Sequence, residues 1–206
     1  GASSYDVESH KDWRREQVDL FVEDLSIAMR AFNQQTGRNV ELGISPTGIY
    51  RNGNGVVTYD ENGAAITTGS NTGGWQHYGS YLFCDSKKWI DEEWIDYIVP
   101  QLYWGFTHPT APYADLVDWW ASVVRHKDVK LYTGMGIYMA LSSSNTYSWK
   151  SNPYEASDQV LYNTKHDEVS GVVIFRYNHF KVMLSNQNPG SLRLINEYWI
   201  NKVDTP

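Results

Sequence analysis

The chain has 206 residues, 41% hydrophobic and 20% charged, which is enough apolar mass to bury a sizeable core and too much for a disordered chain. A formal charge of -7, with the 17 Lys and Arg dispersed and no basic run, argues against nucleic acid or an anionic membrane as partner. No apolar run is long enough for a transmembrane segment, and the one cysteine, Cys84, allows neither an internal disulfide nor a thiolate metal cluster.

The opening "GASSYDVESH" shows no signal peptide and reads as a cut start rather than a natural one. From Asp12 to about Asn33 the residues Val18, Phe21, Val22, Leu25, Met29 and Phe32 recur at helical spacing, with Asp12 placed to cap and Gly37 beyond the end. A short apolar strand from about Val40 to Ile44 runs into Ser45, Pro46 and Gly48, which stop it. The next stretch, "RNGNGVVTYDENGAAITTGSNTGGWQHYG", carries no sustained period and reads as a long excursion. A helix from about Asp85, whose carboxylate can cap the first turn, leads into the buried strand "YIVPQLYWGF" at Tyr97.

"PYADLVDWWASVVRHK" is a helix with Leu116, Trp119, Trp120, Val123 and Val124 on its apolar side. A strand "VKLYTGMGIYM", a polar loop, the helix "YEASDQVLYNTKHD", a last strand "VSGVVIFRYN" and a closing helix "SLRLINEYWINK" complete the order. Strands alternating with helices imply right-handed crossovers and a parallel sheet buried on both faces. In such folds the site lies at the carboxyl ends of the strands. Those ends carry Ser45, Tyr50, Arg51 and Asn52 on the first strand, Gln101, Tyr103 and Trp104 on the second, Tyr138 on the third, and Arg176, Tyr177 and Asn178 on the fourth. With 9 Trp and 15 Tyr in the chain, flat rings at these ends suit a sugar.

The segments "DWRREQVDLFV", "GISPTGIYRN", "YGSYLFCDSKKWIDEEWIDYIVPQLYW" and "VKLYTGMGIY" together resemble, in order and spacing, the carboxyl-terminal half of the glycosyl hydrolase-like 10 family. The similarity runs from Asp12 to about Tyr177; Lys87 stands where the family usually has arginine, and Tyr50 where it has tryptophan. The resemblance implies an α/β fold derived from a (β/α)8 TIM barrel, with the strands here equivalent to the fifth through eighth. It also implies a glycan polymer as partner, bacterial cell-envelope peptidoglycan or another N-acetylated amino-sugar polymer, and an extracellular or envelope location, secreted or lipid-anchored. A full barrel needs roughly 250 residues. Residues 1–206 therefore read as a single domain that is a fragment of a larger barrel.

Glycoside hydrolysis usually takes two carboxyl groups, and "GISPTG", "VPQLYWG", "YTGMGIYM" and "IFRYN" contain none. The resemblance puts paired aspartates upstream, so this piece alone is not expected to catalyse. A substrate-assisted route would then have Gln101 and Tyr103 hold an acetamido group, Trp104 stack on a sugar face, and Arg51 and Arg176 bind hydroxyls or a lactyl carboxylate. Asp85 is the one local carboxylate considered as a catalyst, and it reads first as a helix cap. Arg51 reads equally as a brace for the Gly-rich loop.

Strand alternation would send Tyr103 and Trp104 to opposite faces, leaving one of them to ordinary packing. His108, His126, His166 and His179 fall in turns or at helix ends and read as solvated, and no metal or other cofactor is expected. Two other readings stay open: a carbohydrate-binding or scaffolding module without acid chemistry, and, more weakly, a metal-dependent hydrolase. Four parallel strands also leave two open edges, so two copies are expected to pair, closing a barrel about a two-fold axis.

Overall fold

A computed structural model describes residues 7–79 and 81–200. Helix α1 (Val7–Thr36) is followed by strand β1 (Gly43–Ile44), a hairpin of β2 (Val57–Tyr59) and β3 (Ala65–Thr67), helix α2 (Ser86–Asp91), strand β4 (Tyr97–Ile98) and helix α3 (Tyr113–Val124). Strand β5 (Lys130–Met135), a 3-10 turn (Ile137–Leu141), helices α4 (Ser148–Ser151) and α5 (Glu155–Asn163), and strand β6 (Val169–Ile174) come next. Helices α6 (Tyr177–Ser185) and α7 (Pro189–Arg193) close the chain, the latter running into a π-turn over Leu194–Tyr198.

The main sheet has the order β1-β4-β5-β6 with every pairing parallel, so each strand is joined to the next by a crossover carrying helix. This parallel sheet flanked by helices is a partial (β/α)8 barrel. The first strands are shorter than the sequence pattern suggests because Pro46 and Pro100 lack an N–H to extend the ladder. Single contacts continue it: the Val99 N–H donates to Ile44 O at 2.8 Å, that of Gln101 to Pro46 O at 3.0 Å and that of Gly134 to Pro100 O at 2.9 Å. On the sheet's inner face tyrosine rings lie over glycines of the neighbouring strand. A Cβ on Gly43 would fall 1.9 Å from the Tyr97 ring, and one on Gly171 3.3 Å from that of Tyr132. The two rings meet edge-on at 5.9 Å.

The core sits between the sheet and the helices that cover it. Ile98, Leu102 and Leu131 from the sheet side meet Leu116, Val117, Trp119, Trp120 and Val123 of α3, all at most 2% exposed. A second cluster, Met135, Ile137, Trp149, Met183 and Leu194, ties the tail of β5 to the closing helices.

Several expectations are corrected. Asp12 does not cap α1, which begins earlier; it lies within the helix and pairs with Arg15. The side of α1 that docks is a mixed one: Val22 is buried and Val18, Leu25 and Met29 are half-buried, as their spacing predicts, but polar residues share the face and Phe21 and Phe32 fall outside it. Arg15, Asp19, Val22 and Ser26 are buried, while Phe21 and Ile27 are 67% and 60% exposed. Polar anchors hold the polar part: Asp19 Oδ1 accepts from Trp89 Nε1 at 2.7 Å and Asp19 Oδ2 from Lys88 Nζ at 3.1 Å.

The Gly-rich excursion contains the β2–β3 hairpin, whose "VVTYDENGAAITT" alternates about a glycine at φ +75°, Gly63. Helix α6 was absent from the sequence reading although Phe180, Met183 and Leu184 recur at helical spacing. The histidines are not uniformly solvated. His108 Nδ1 accepts the Ala111 N–H at 3.1 Å, His166 Nε2 pairs with Asp118 at 2.9 Å, and His179 Nδ1 is buried.

Candidate functional site

At the carboxyl ends of β1, β4 and β5 a cleft of about 240 Å³ is lined by Thr47, Gly48, Trp75, Gln101, Tyr103, Trp104, Tyr138 and Met139. That volume lies below the ~300–1,000 Å³ of drug-sized pockets and suits a single ring. None of the lining residues is a carboxylate.

Tyr103 and Trp104 line it together, against the alternation argument, because β4 has ended at Ile98 and the chain beyond Gln101 is no longer extended. Tyr103 meets Tyr138 edge-on at 5.9 Å and stacks on Phe175 at the same spacing. These contacts join the ends of β4, β5 and β6 into one aromatic rim. Burial, then the neighbouring Tyr138, pushes the Tyr103 hydroxyl pKa up, so it remains a hydrogen-bond donor at neutral pH.

The turn that presents Trp104 is held from behind. Glu155, buried in the first turn of α5, accepts the Phe106 N–H at 2.9 Å and Gln159 Nε2 at 3.0 Å. Gln159 Nε2 also donates to Trp104 O at 3.1 Å, and Ser148 Oγ accepts the Thr107 N–H at 3.2 Å. Gly105 is required there, since a Cβ would lie 2.3 Å from Ser148 Oγ. Replacing Glu155 with alanine orphans the Phe106 N–H and is expected to cost ~1–3 kcal/mol, with Glu155→Gln costing less because it keeps an acceptor. Chemical unfolding of the two variants beside the parent checks this.

Trp75, also in the lining, sits between Gly74 and Gln76, both of which are held by Asn52. The Asn52 amide accepts the Gly74 N–H at 3.1 Å and donates to Gly74 O at 2.8 Å, while its backbone N–H donates to Gln76 Oε1 at 2.9 Å. Asn52 therefore positions a wall of the cleft without lining it. Ser45 does the same for Gln101: its carbonyl accepts Gln101 Nε2 at 3.1 Å, and its hydroxyl donates to Val99 O at 2.9 Å.

The remaining candidates lie outside the lining. Tyr50 is core, its hydroxyl donating to Asp85 at 2.8 Å and its ring stacked on Trp119 at 5.6 Å. Asp85 caps α2, accepting the Lys88 N–H at 3.1 Å. Arg51 packs over the Tyr78 ring at 5.0 Å. Arg176 is the residue before α6, and Tyr177 is 71% exposed on its first turn. Thr47, Trp75 and Met139 were not singled out from sequence, and Trp75 lay inside the excursion that showed no period.

Among the described residues no group of three or more His, Cys, Asp or Glu could hold a metal ion, and no helix is long and apolar enough to cross a membrane.

A parallel βα sheet whose carboxyl edge opens into an aromatic cleft is the architecture of part of a (β/α)8 barrel, with its site at the strand ends. The chain belongs to the glycosyl hydrolase-like 10 family, whose model matches residues 1–151. It is 34% identical over 179 residues to glycosyl hydrolase YngK of Bacillus subtilis, a match covering 86% of this chain and 31% of that protein. To glycosyl hydrolase DigH of Escherichia coli K12 it is 30% identical over 174 residues, covering 83% of this chain and 36% of that protein. The chain thus spans about a third of the length of these relatives.

Proposed function

We propose that this chain is the sugar-binding part of a glycoside hydrolase acting on bacterial cell-envelope glycan, peptidoglycan or another N-acetylated amino-sugar polymer. The observation that carries the reading is the cleft itself: Trp75, Tyr103, Trp104 and Tyr138 line one space of about 240 Å³ together with Gln101 and Thr47. Aromatic walls fit the apolar faces of a pyranose, and the polar groups between them fit its edge. The lining holds no carboxyl group, so in this reading the acid and its partner are supplied by a part of the full protein outside these residues; the relatives are about three times as long as this chain.

In the full protein one such carboxyl protonates the leaving oxygen. Its neighbour orients the acetamido group that attacks the anomeric carbon. An extracellular or envelope location, secreted or lipid-anchored, follows from the substrate.

The test joins this chain to the upstream sequence of its gene and assays purified glycan strands with and without their peptides. Cleavage that falls with Gln101→Ala supports the reading; cleavage indifferent to it removes Gln101 from the site. Binding without cleavage in the joined protein favours the second reading, a non-catalytic carbohydrate-binding or scaffolding module using the same cleft.

Strands β1 and β6 each have one unpaired edge among the described residues, and Phe21 and Ile27 on α1 are exposed. Two copies pairing across β1 and β6 would cover these edges, and a dimer in sedimentation equilibrium is then expected; a monodisperse monomer counts against it.

A further inference from the structure

Behind the cleft lies a buried polar pair that the reading above does not use. His77 and Ser86 are both fully buried, and His77 Nε2 is 2.7 Å from Ser86 Oγ. His77 Nδ1 is 3.1 Å from Thr47 Oγ1, and Thr47 lines the cleft. Among the described residues neither hydroxyl has a further hydrogen-bond partner.

Hydrogen-bond counting assigns the tautomer. A buried hydroxyl hydrogen left without an acceptor is costlier than a spare lone pair, so Ser86 donates to Nε2. A neutral imidazole has one N–H, which therefore sits on Nδ1 and donates to Thr47 Oγ1. Burial keeps the imidazole neutral, its pKa lowered to about 4.

Thr47 thus accepts from the ring and retains its own hydrogen for the cleft. Its backbone is held by the bridge to Gln101 and by Trp120 Nε1, which donates to Gly48 O at 2.8 Å. The Gln101 amide, which also lines the cleft, has its Nε2 committed to Ser45 O. Sugar hydroxyls both donate and accept, and satisfy either group. An acetamido carbonyl only accepts and the ammonium of a deacetylated sugar only donates, so a committed donor favours the acetylated sugar over the deacetylated one.

We infer that Thr47 is a specificity-determining donor of the cleft, positioned by the buried His77–Ser86 pair, and that it takes the carbonyl oxygen of a sugar's acetamido group. The inference rests on the sugar-binding reading of the cleft, and two measurements on the full chain separate the two. The first is the imidazole ¹⁵N spectrum at neutral pH, which needs no ligand: an Nδ1–H signature for His77 is expected, and an Nε2–H signature overturns the inference.

The second compares an N-acetylglucosamine oligomer with its deacetylated counterpart by calorimetry. The parent is expected to prefer the acetylated oligomer by about tenfold, the worth of one hydrogen bond. Thr47→Val is expected to abolish the preference and Thr47→Ser to restore it. A preference unchanged in Thr47→Val overturns the role of Thr47 and leaves the cleft reading intact. A parent that binds neither oligomer overturns both.

Discussion

Replacing Trp75 with alanine is expected to weaken binding of N-acetylated glycan by ~30-fold, about 2 kcal/mol, the scale of a buried aromatic contact in a binding site. Trp75 is 45% exposed and lies on a loop whose backbone is held by Asn52 and Gln76, so the fold does not depend on its ring. The unfolding midpoint is expected to stay near that of the parent while calorimetric affinity falls. Trp75→Phe keeps a flat face and is expected to retain most of the binding. Trp104 is the less suitable probe, because its ring also packs on the core and its truncation mixes stability with binding. An unchanged affinity in Trp75→Ala would remove this wall from the site.

Acid is expected to destabilise the chain through His77. Burial lowers its folded pKa to about 4 from an ordinary 6.5. Between those values the unfolded chain binds the proton and the folded one does not, so stability falls as pH drops through that window. Above about 6.5 the contribution is fully present, and below about 4 it has been lost. The difference corresponds to roughly 3 kcal/mol. Urea unfolding at pH 7, 5.5 and 4 measures it. His77→Gln is expected to be less stable at pH 7, because it disturbs the contacts to Thr47 and Ser86, and to show a flatter dependence across the same window. An equal slope in the two proteins would show that the acid effect arises elsewhere.

The parallel order of strand and helix was legible because apolar runs such as "YIVP" alternate with helical spacing such as that of Leu116, Trp119, Trp120 and Val123. So was the cap at Asp85 and the stop at Gly37, whose N–H donates to Asn33 O at 2.9 Å. These are local properties, set by backbone torsions and nearest neighbours. Gln101, Tyr103, Trp104 and Tyr138 could be placed together for a similar reason, since each follows the end of a parallel strand.

What the sequence determined by itself was the succession of elements, the parallel sheet and the sheet edge at which a cleft would open. The tertiary structure alone decided which side chains reach that cleft. Trp75 arrives from a loop far along the chain because Asn52 clasps its backbone, and Thr47 acquires a fixed hydroxyl because His77 folds in behind it. Asp19 is buried beside Val18 and Val22 on the docked face of α1 because Trp89 and Lys88 donate to its carboxylate. Periodicity records how often a face recurs along the chain. It does not record which partners satisfy a buried polar group, and those partners, distant in sequence, set the site.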